Sequence, residues 1–188
     1  MMNYEELLLK RRSIRNFIDK AVSNEIIMKV IKESIYAPSS GNEQPWKFII
    51  VNDKLLMKRI SDEAKRNILK RIELNPNDYA KKYEKMLRDE NYNIFYNAPS
   101  MVFIIGEKNL KNMKINCSLA ASYFMMSAAS RNLGTCWINF ATDIKSSEML
   151  SELGITDDFE IVAPIIVGYP AKIPDMPIRK EPEILKVI

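Results

Sequence analysis

The stretch from residue 116 to residue 133 constrains the fold most. Leu119, Ala120, Ala121, Tyr123, Phe124, Met125, Met126, Ala128 and Ala129 cover nearly every side of a helix there. A helix apolar all round is a buried one. The runs around it read as strands. Residues 100–105 (SMVFII) are continuously apolar and closed by Gly106, and residues 135–140 (TCWINF) follow Gly134, which reads as the stop of the long helix. Two more strands are predicted over 46–52 (WKFIIVN) and 159–168 (FEIVAPIIVG), with Pro164 marking a bulge or an edge. Helices are expected over 3–11, 24–37, 54–73, 79–89 and 146–153, and a loop over 91–99. The helix at 24–37 is capped by Ser23 or Asn24, sets Ile26, Ile27, Val30, Ile31 and Ile35 on one face, and ends at Ala37-Pro38. Gly154 stops the helix at 146–153. No internal repeat is visible. Interleaved strands and helices of this kind predict one three-layer α+β or α/β domain over residues 1–188, with helices on both faces of a sheet.

Absences narrow the chemistry. The chain has no histidine, so His general bases, Ser-His or Cys-His pairs and His metal ligands are excluded. Cys117 and Cys136 alone complete neither a zinc site nor a disulfide framework, and the expected compartment is the reducing cytoplasm. The five glycines are too far apart for a GxGxxG or Walker loop, so a bound phosphate needs side chains, chiefly arginine. No apolar run reaches the ~20 residues of a membrane span, and the N-terminal MMNYEELLLKRR does not read as a secretory signal. The net charge is +4, and residues 54–90 hold eleven basic and seven acidic side chains, which is the whole excess. A nucleic-acid footprint is one reading. Mixed signs above an Ile60, Ala64, Ile68, Ile72 stripe favour a solvated amphipathic helix, and no nucleic-acid or membrane partner is expected.

Four segments carry groups suited to a ligand. Arg11-Arg12-Ser13-Ile14-Arg15 offers guanidinium forks and a hydroxyl that suit phosphate, although cations at a helix end also simply complement its dipole. Pro38-Ser39-Ser40-Gly41-Asn42-Glu43-Gln44-Pro45-Trp46 sets hydroxyls and two amides between prolines. Amides read both donors and acceptors on a heteroaromatic edge, although such residues also make ordinary turns. Gly134-Thr135-Cys136-Trp137-Ile138-Asn139 brings a Trp that is either core or the wall of a planar ligand. Pro177-Ile178-Arg179-Lys180-Glu181-Pro182 holds two cations in a stiff, proline-rich tail. That tail, from residue 170, ends in Ile184, Leu185, Val187 and Ile188. Such an apolar arm wants a surface, either a neighbouring subunit or the edge of its own sheet.

Together, RRSIR, APSSGNEQPWKF, ASRNLGTCWI and IVGYPAKIPDMPIRK resemble the FMN-dependent nitroreductase family in content, order and spacing, over nearly the whole length. The resemblance implies a three-layer sandwich with a central, mostly antiparallel sheet. It implies a homodimer with FMN at the subunit interface and a C-terminal arm, residues 170–188, exchanged between subunits. Arg11 and Ser13, with Arg12 beside them, then resemble the phosphate and ribityl ligands, and Arg15 the cation at the flavin N1/O2 edge. Pro38, Ser39, Ser40 and Asn42 resemble the other subunit's contribution, and Gln44 supports that loop or touches the ring. Trp137 and Ile138 resemble the strand lining the flavin. Arg179 and Lys180 resemble a second phosphate clamp. The implied activity passes electrons from NAD(P)H through FMN to a nitroaromatic, quinone or similar acceptor by ping-pong turnover. The flavin carries the chemistry, so no catalytic side chain and no metal is expected. Dehalogenase or flavin-cannibalising chemistry, or flavin binding without turnover, are the alternatives. The excursion at 54–99, with Tyr79, Tyr83, Tyr92, Phe95 and Tyr96, is expected to wall the acceptor pocket. The family carries an acid early in the long helix. Here Asn116 stands at that place, which leaves open what anchors the helix.

Overall fold

The structure is a computed structural model describing residues 3–188. Its centre is a four-stranded sheet in the order β1-β2-β4-β3, formed by β1 (Lys47–Val51), β2 (Ser100–Glu107), β3 (Gly134–Trp137) and β4 (Phe159–Gly168). Every strand pair is antiparallel. The helices are α1 (Tyr4–Lys10), α2 (Asn24–Ser34), α3 (Lys54–Leu74), α4 (Glu84–Leu87), α5 (Met113–Ser130) and α6 (Ser147–Glu152).

Alternation along β2 creates the layers. Val102 and Ile104 face one core with α2 and α5, while Met101, Phe103 and Ile105 face the other, with α3, α6 and the 75–99 segment. Ile60, Ala64, Ile68 and Ile72 of α3 are at most 1% exposed, as the stripe predicts. Seven of the eleven basic residues in 54–90 form ion pairs, which spends much of the local excess. Pro164 lies in an interior strand. Its carbonyl accepts from Ile138 N–H at 2.8 Å, so its missing N–H faces the point where β3 ends. The bulge is nearby, where the β2–β4 register shifts between Ile104 and Ile105 and skips Val162.

Several boundaries differ from expectation. The strand expected to reach 140 ends at Trp137, and residues 139–142 coil into a 3-10 turn. The helix expected over 79–89 is a 3-10 segment, capped by Asp78, followed by the single turn of α4. Helix α5 starts at Met113 and does not stop at Gly134. Asn132, at φ 59°, supplies the left-handed residue instead. The hydrogen bonds Leu133 N–H to Ala128 C=O and Asn132 N–H to Ala129 C=O complete a Schellman close. Gly154, at φ 70°, does stop α6. Nor is α5 buried all round: Ile115, Leu119 and Tyr123, spaced i, i+4, i+8, are 64%, 37% and 43% exposed. The arm from residue 171 forms no strand on its own sheet, and Ile178, Ile184, Leu185, Val187 and Ile188 lie exposed. Among the described residues, no helix is long and apolar enough to cross a membrane, no metal-ligand cluster forms, and both cysteines are buried and free.

Candidate flavin site

The RRSIR segment leaves α1 and runs beside β3. Ser13 bridges Thr135 in parallel, and Ile14 N–H donates to Thr135 C=O at 2.9 Å. Ile18 N–H then donates to Tyr169 C=O, and Ala171 N–H to Asn16 C=O. Close approach at β3 depends on Gly134. A Cβ there would stand 2.6–2.8 Å from Ile14 side-chain atoms. Extended pairing alternates the side chains. Arg11, Ser13 and Arg15 act on the buried Cys136 thiol, which burial pushes up and these three groups pull back. Arg11, Arg12 and Ile14 line a different cavity, of about 340 Å³, with Lys10 and Leu133. Arg12 Nη1 donates to the Arg11 carbonyl at 2.7 Å, and its Nε is buried without a partner. The motif is thus divided: Arg11 borders this cavity with Arg12, while Ser13 and Arg15 do not line it.

A second cavity, of about 420 Å³, is continuous with Arg15. Trp137 and Ile138 line it, with Asn139 and Phe140 from the 3-10 turn and Tyr79, Tyr83, Met86, Tyr92, Ile94 and Tyr96 from the excursion. Phe140 stacks on Tyr79 at 6.4 Å and meets Tyr83 edge-on at 5.5 Å. Arg15 lies over the Tyr96 ring at 5.8 Å. Tyr96 and Asn97 hold φ of 53° and 54°, costly for a bulky tyrosine. Lys65, buried on α3, clamps this turn by donating to the carbonyls of Asp89 at 2.8 Å and Tyr92 at 2.7 Å. Burial and the neighbouring Tyr96 push the Tyr92 hydroxyl far up, so it stays protonated. Arg71 fixes the outer wall through Asp78 at 2.8 Å and Asp143 at 2.5 Å. Four of the five aromatics expected here do line the cavity. Phe95 is fully buried in the core instead. Phe140 was hidden from sequence reasoning because the strand was expected to continue through it.

Electrostatics single out the same edge. Of the nine arginines, Arg59, Arg71, Arg88 and Arg131 have carboxylate partners. Among the described residues the others, Arg11, Arg12, Arg15, Arg66 and Arg179, have none.

The Pro38–Gln44 loop lies elsewhere. It packs on the start of α5, where Asn116 Oδ1 accepts from Ser40 N–H at 3.1 Å and Asn112 Nδ2 donates to Ser40 Oγ at 3.0 Å. Asn116 Nδ2 donates to Glu43 Oε2 at 3.1 Å. Gln44 Nε2 donates to Asn42 Oδ1 at 3.0 Å, so Gln44 supports the loop. The RRSIR segment instead faces Ala129 and Leu133 at the far end of α5. At 1.5 Å per residue the two groups are separated by about 25 Å of helix. Pro38, Ser39, Ser40 and Asn42 therefore do not meet Arg11, Ser13 and Arg15 within one chain. Arg179 and Lys180 lie on the exposed arm, without ion pairs among the described residues.

Comparison with known proteins bears on the fold and the family. A nitroreductase from Desulfitobacterium hafniense, solved with bound FMN, superposes with a TM-score of 0.83 at 18% identity, covering 100% of both chains. An iodotyrosine deiodinase solved with FMN and 3-iodo-L-tyrosine gives 0.77 at 22% identity over 98% of this chain and 99% of that one. In sequence, a protein of Archaeoglobus fulgidus provisionally assigned as an NADH dehydrogenase/NAD(P)H nitroreductase is 27% identical, covering 88% of this chain and 84% of its own. Iodotyrosine deiodinase 1 of Sus scrofa is 27% identical over 98% of this chain and 68% of its own. The Nitroreductase family model matches residues 8–169, from the end of α1 through β4 and so through the RRSIR edge, the amide loop and the aromatic cavity: the chain belongs to the nitroreductase family.

Proposed function

We propose that the protein is an FMN-dependent oxidoreductase, carrying electrons from NADH or NADPH to an electron-poor small molecule, and that it acts as a cytoplasmic homodimer. The observation that carries this is the edge beside β3. Arg15, without a carboxylate partner, stands there in the lining of an aromatic slot, and Arg11, likewise without one, lies four residues before it along the same edge. Unpaired guanidiniums await an anion, and an aromatic slot suits a planar ring, so these residues fit a flavin mononucleotide. Arg11, with Arg179 and Lys180 from the arm, would hold the phosphate, and Ser13 the ribityl chain. Arg15 would hold the electron-rich edge of the ring. Trp137 and Ile138 would line the ring, and Tyr79, Tyr83, Tyr96 and Phe140 would exclude water from the acceptor. Arg12 would act from behind, through the backbone of Arg11.

When bound, FMN supplies two-electron transfer between donor and acceptor. A fixed cation at Arg15 favours the more negative reduced state and raises its potential. One slot serves donor and acceptor in turn, so parallel initial-rate lines are expected, and crossing lines would refute ping-pong turnover.

The homodimer reading rests on α5. Its exposed Ile115, Leu119 and Tyr123 need cover. Two copies of α5 packed antiparallel about a two-fold axis would lay the amide loop of one subunit against the RRSIR edge of the other, closing the 25 Å gap. The apolar arm would then lie across the partner.

The test is the visible spectrum of the purified protein, repeated anaerobically after NADH or NADPH. A flavin band that bleaches is expected. No band after reconstitution with FMN overturns the reading. Reductive dehalogenation is the second reading, favoured by similarity to an iodotyrosine deiodinase along 98% of the chain. Iodide released from an aryl iodide by the reduced protein would select it.

A further inference from the structure

We propose that Asn116 and Glu43 are a matched pair of positioning residues, holding the Ser39–Gln44 loop in the one shape in which it can serve a flavin held by a second copy; this rests on the FMN homodimer reading above. The loop is held partly by itself, through Gln44 N–H to Ser39 Oγ at 3.2 Å and Gln44 Nε2 to Asn42 Oδ1 at 3.0 Å, and partly from outside. Gly41, Asn42 and Gln44 hold φ of 57°, 56° and 48°, three left-handed residues in four, two of them non-glycine. Its own backbone supplies only the bonds Asn42 N–H to Ser39 C=O at 3.0 Å and Glu43 N–H to Ser40 C=O at 3.1 Å. The external hold comes from α5. Asn112 and Asn116, i and i+4, put both amides on one side of its first turn. Asn112 stands at the N-cap yet makes no capping bond there, giving its amide to Ser40 Oγ instead. Asn116, 1% exposed, uses both ends of its amide: the oxygen takes Ser40 N–H and the nitrogen gives to Glu43.

This polarity has a consequence. Ser40 N–H requires an acceptor, so the oxygen of residue 116 must face it. The other end of residue 116 then meets residue 43. An amide there needs an acceptor, which the Glu43 carboxylate supplies. A carboxylate at 116 would still accept from Ser40, but would meet Glu43 as a like charge. An acid at 116 would therefore be opposed by the acid on this chain's loop. The two positions form one unit that holds at most one carboxylate between them.

The experiment is a double-mutant cycle read by FMN affinity, from fluorescence quenching, and by hydrogen exchange of the Ser40 amide. Glu43→Gln keeps an acceptor for Asn116 and should change affinity less than about threefold. Asn116→Asp should weaken FMN binding by about tenfold or more and speed Ser40 exchange. The double variant Asn116→Asp/Glu43→Gln puts the carboxylate on the helix and the amide on the loop. It should return both readings to within about threefold of the parent. A structural role without this pairing would leave the double variant as damaged as Asn116→Asp, and that result overturns the proposal. So does an Asn116→Asp variant that matches the parent in both readings. If the parent binds no FMN, the functional reading fails. The latch is then decided by Ser40 exchange alone: loss in Asn116→Asp and recovery in the double variant uphold it, and equal exchange in all variants overturns it.

Discussion

Arg15 is the residue on which most of the cofactor reading turns. It has no carboxylate partner among the described residues, and its guanidinium lies over the Tyr96 ring at 5.8 Å. Arg15→Gln should therefore weaken FMN binding about 10- to 100-fold, the worth of one charge-assisted hydrogen bond. It should also lower the flavin midpoint potential, read by anaerobic redox titration. Unchanged affinity and potential would remove Arg15 from the site. Its neighbours separate the same way. Arg11→Gln should cost FMN affinity more than Arg12→Gln does, because the Arg12 guanidinium already donates to the Arg11 carbonyl. Equal losses would show that both guanidiniums reach the phosphate. The sequence presents Arg11, Arg12, Ser13 and Arg15 as one cluster. The bridge from Ser13 to Thr135 is what sorts them onto two faces.

At the scale of elements, contacts between distant segments hold the site. Gly134 admits Ile14 to the edge of β3, and Gly134→Ala would force atoms to within 2.6 Å. Overpacking of this kind costs ~1–3 kcal/mol. The urea midpoint should fall, and Ile14→Ala in the same chain should recover part of the loss of fit; no recovery would place the strain elsewhere. Glu63 ties α3 to the start of α6. Its carboxylate accepts from the N–H groups of Lys145 and Ser146, both at 2.8 Å, and from Ser146 Oγ at 2.9 Å. Burial alone would raise its pKa, but these donors outweigh burial and hold it below the ordinary value. A lowered folded pKa stabilises above the unfolded value, about 4.3, and that stability is lost as pH falls through the folded value. Between about pH 6 and about pH 3.5 the parent should lose more stability than Glu63→Gln. Parallel pH curves would deny Glu63 this role.

For the whole molecule, the exposed stripe on α5 and the unpartnered arm predict a dimer by sedimentation. Tyr123→Lys in the middle of the stripe should give a folded monomer that binds FMN poorly, since the RRSIR edge then lacks the second copy's loop. A monomer with parental FMN affinity would show that one chain completes the site. The geometry behind this expectation is the separation of loop and arginine edge by about 25 Å of helix.

Local chemistry was legible in the sequence. Apolar runs and caps located all four strands and most helices, and the absence of histidine and of a glycine cradle turned attention to arginine. These depend on neighbours within a few residues, which sequence order preserves. Boundaries failed where distant chain intervenes. β3 ends at Trp137, Phe140 turns into the aromatic slot, and Asn132 takes the turn expected of Gly134, which instead opens β3 against Ile14. Glu43 looked like one more polar loop residue until Asn116, 73 positions away, met it. Sequence determined which groups this protein can offer a ligand. Tertiary structure alone decided which of them share a face, because that depends on the packing of segments distant in the chain.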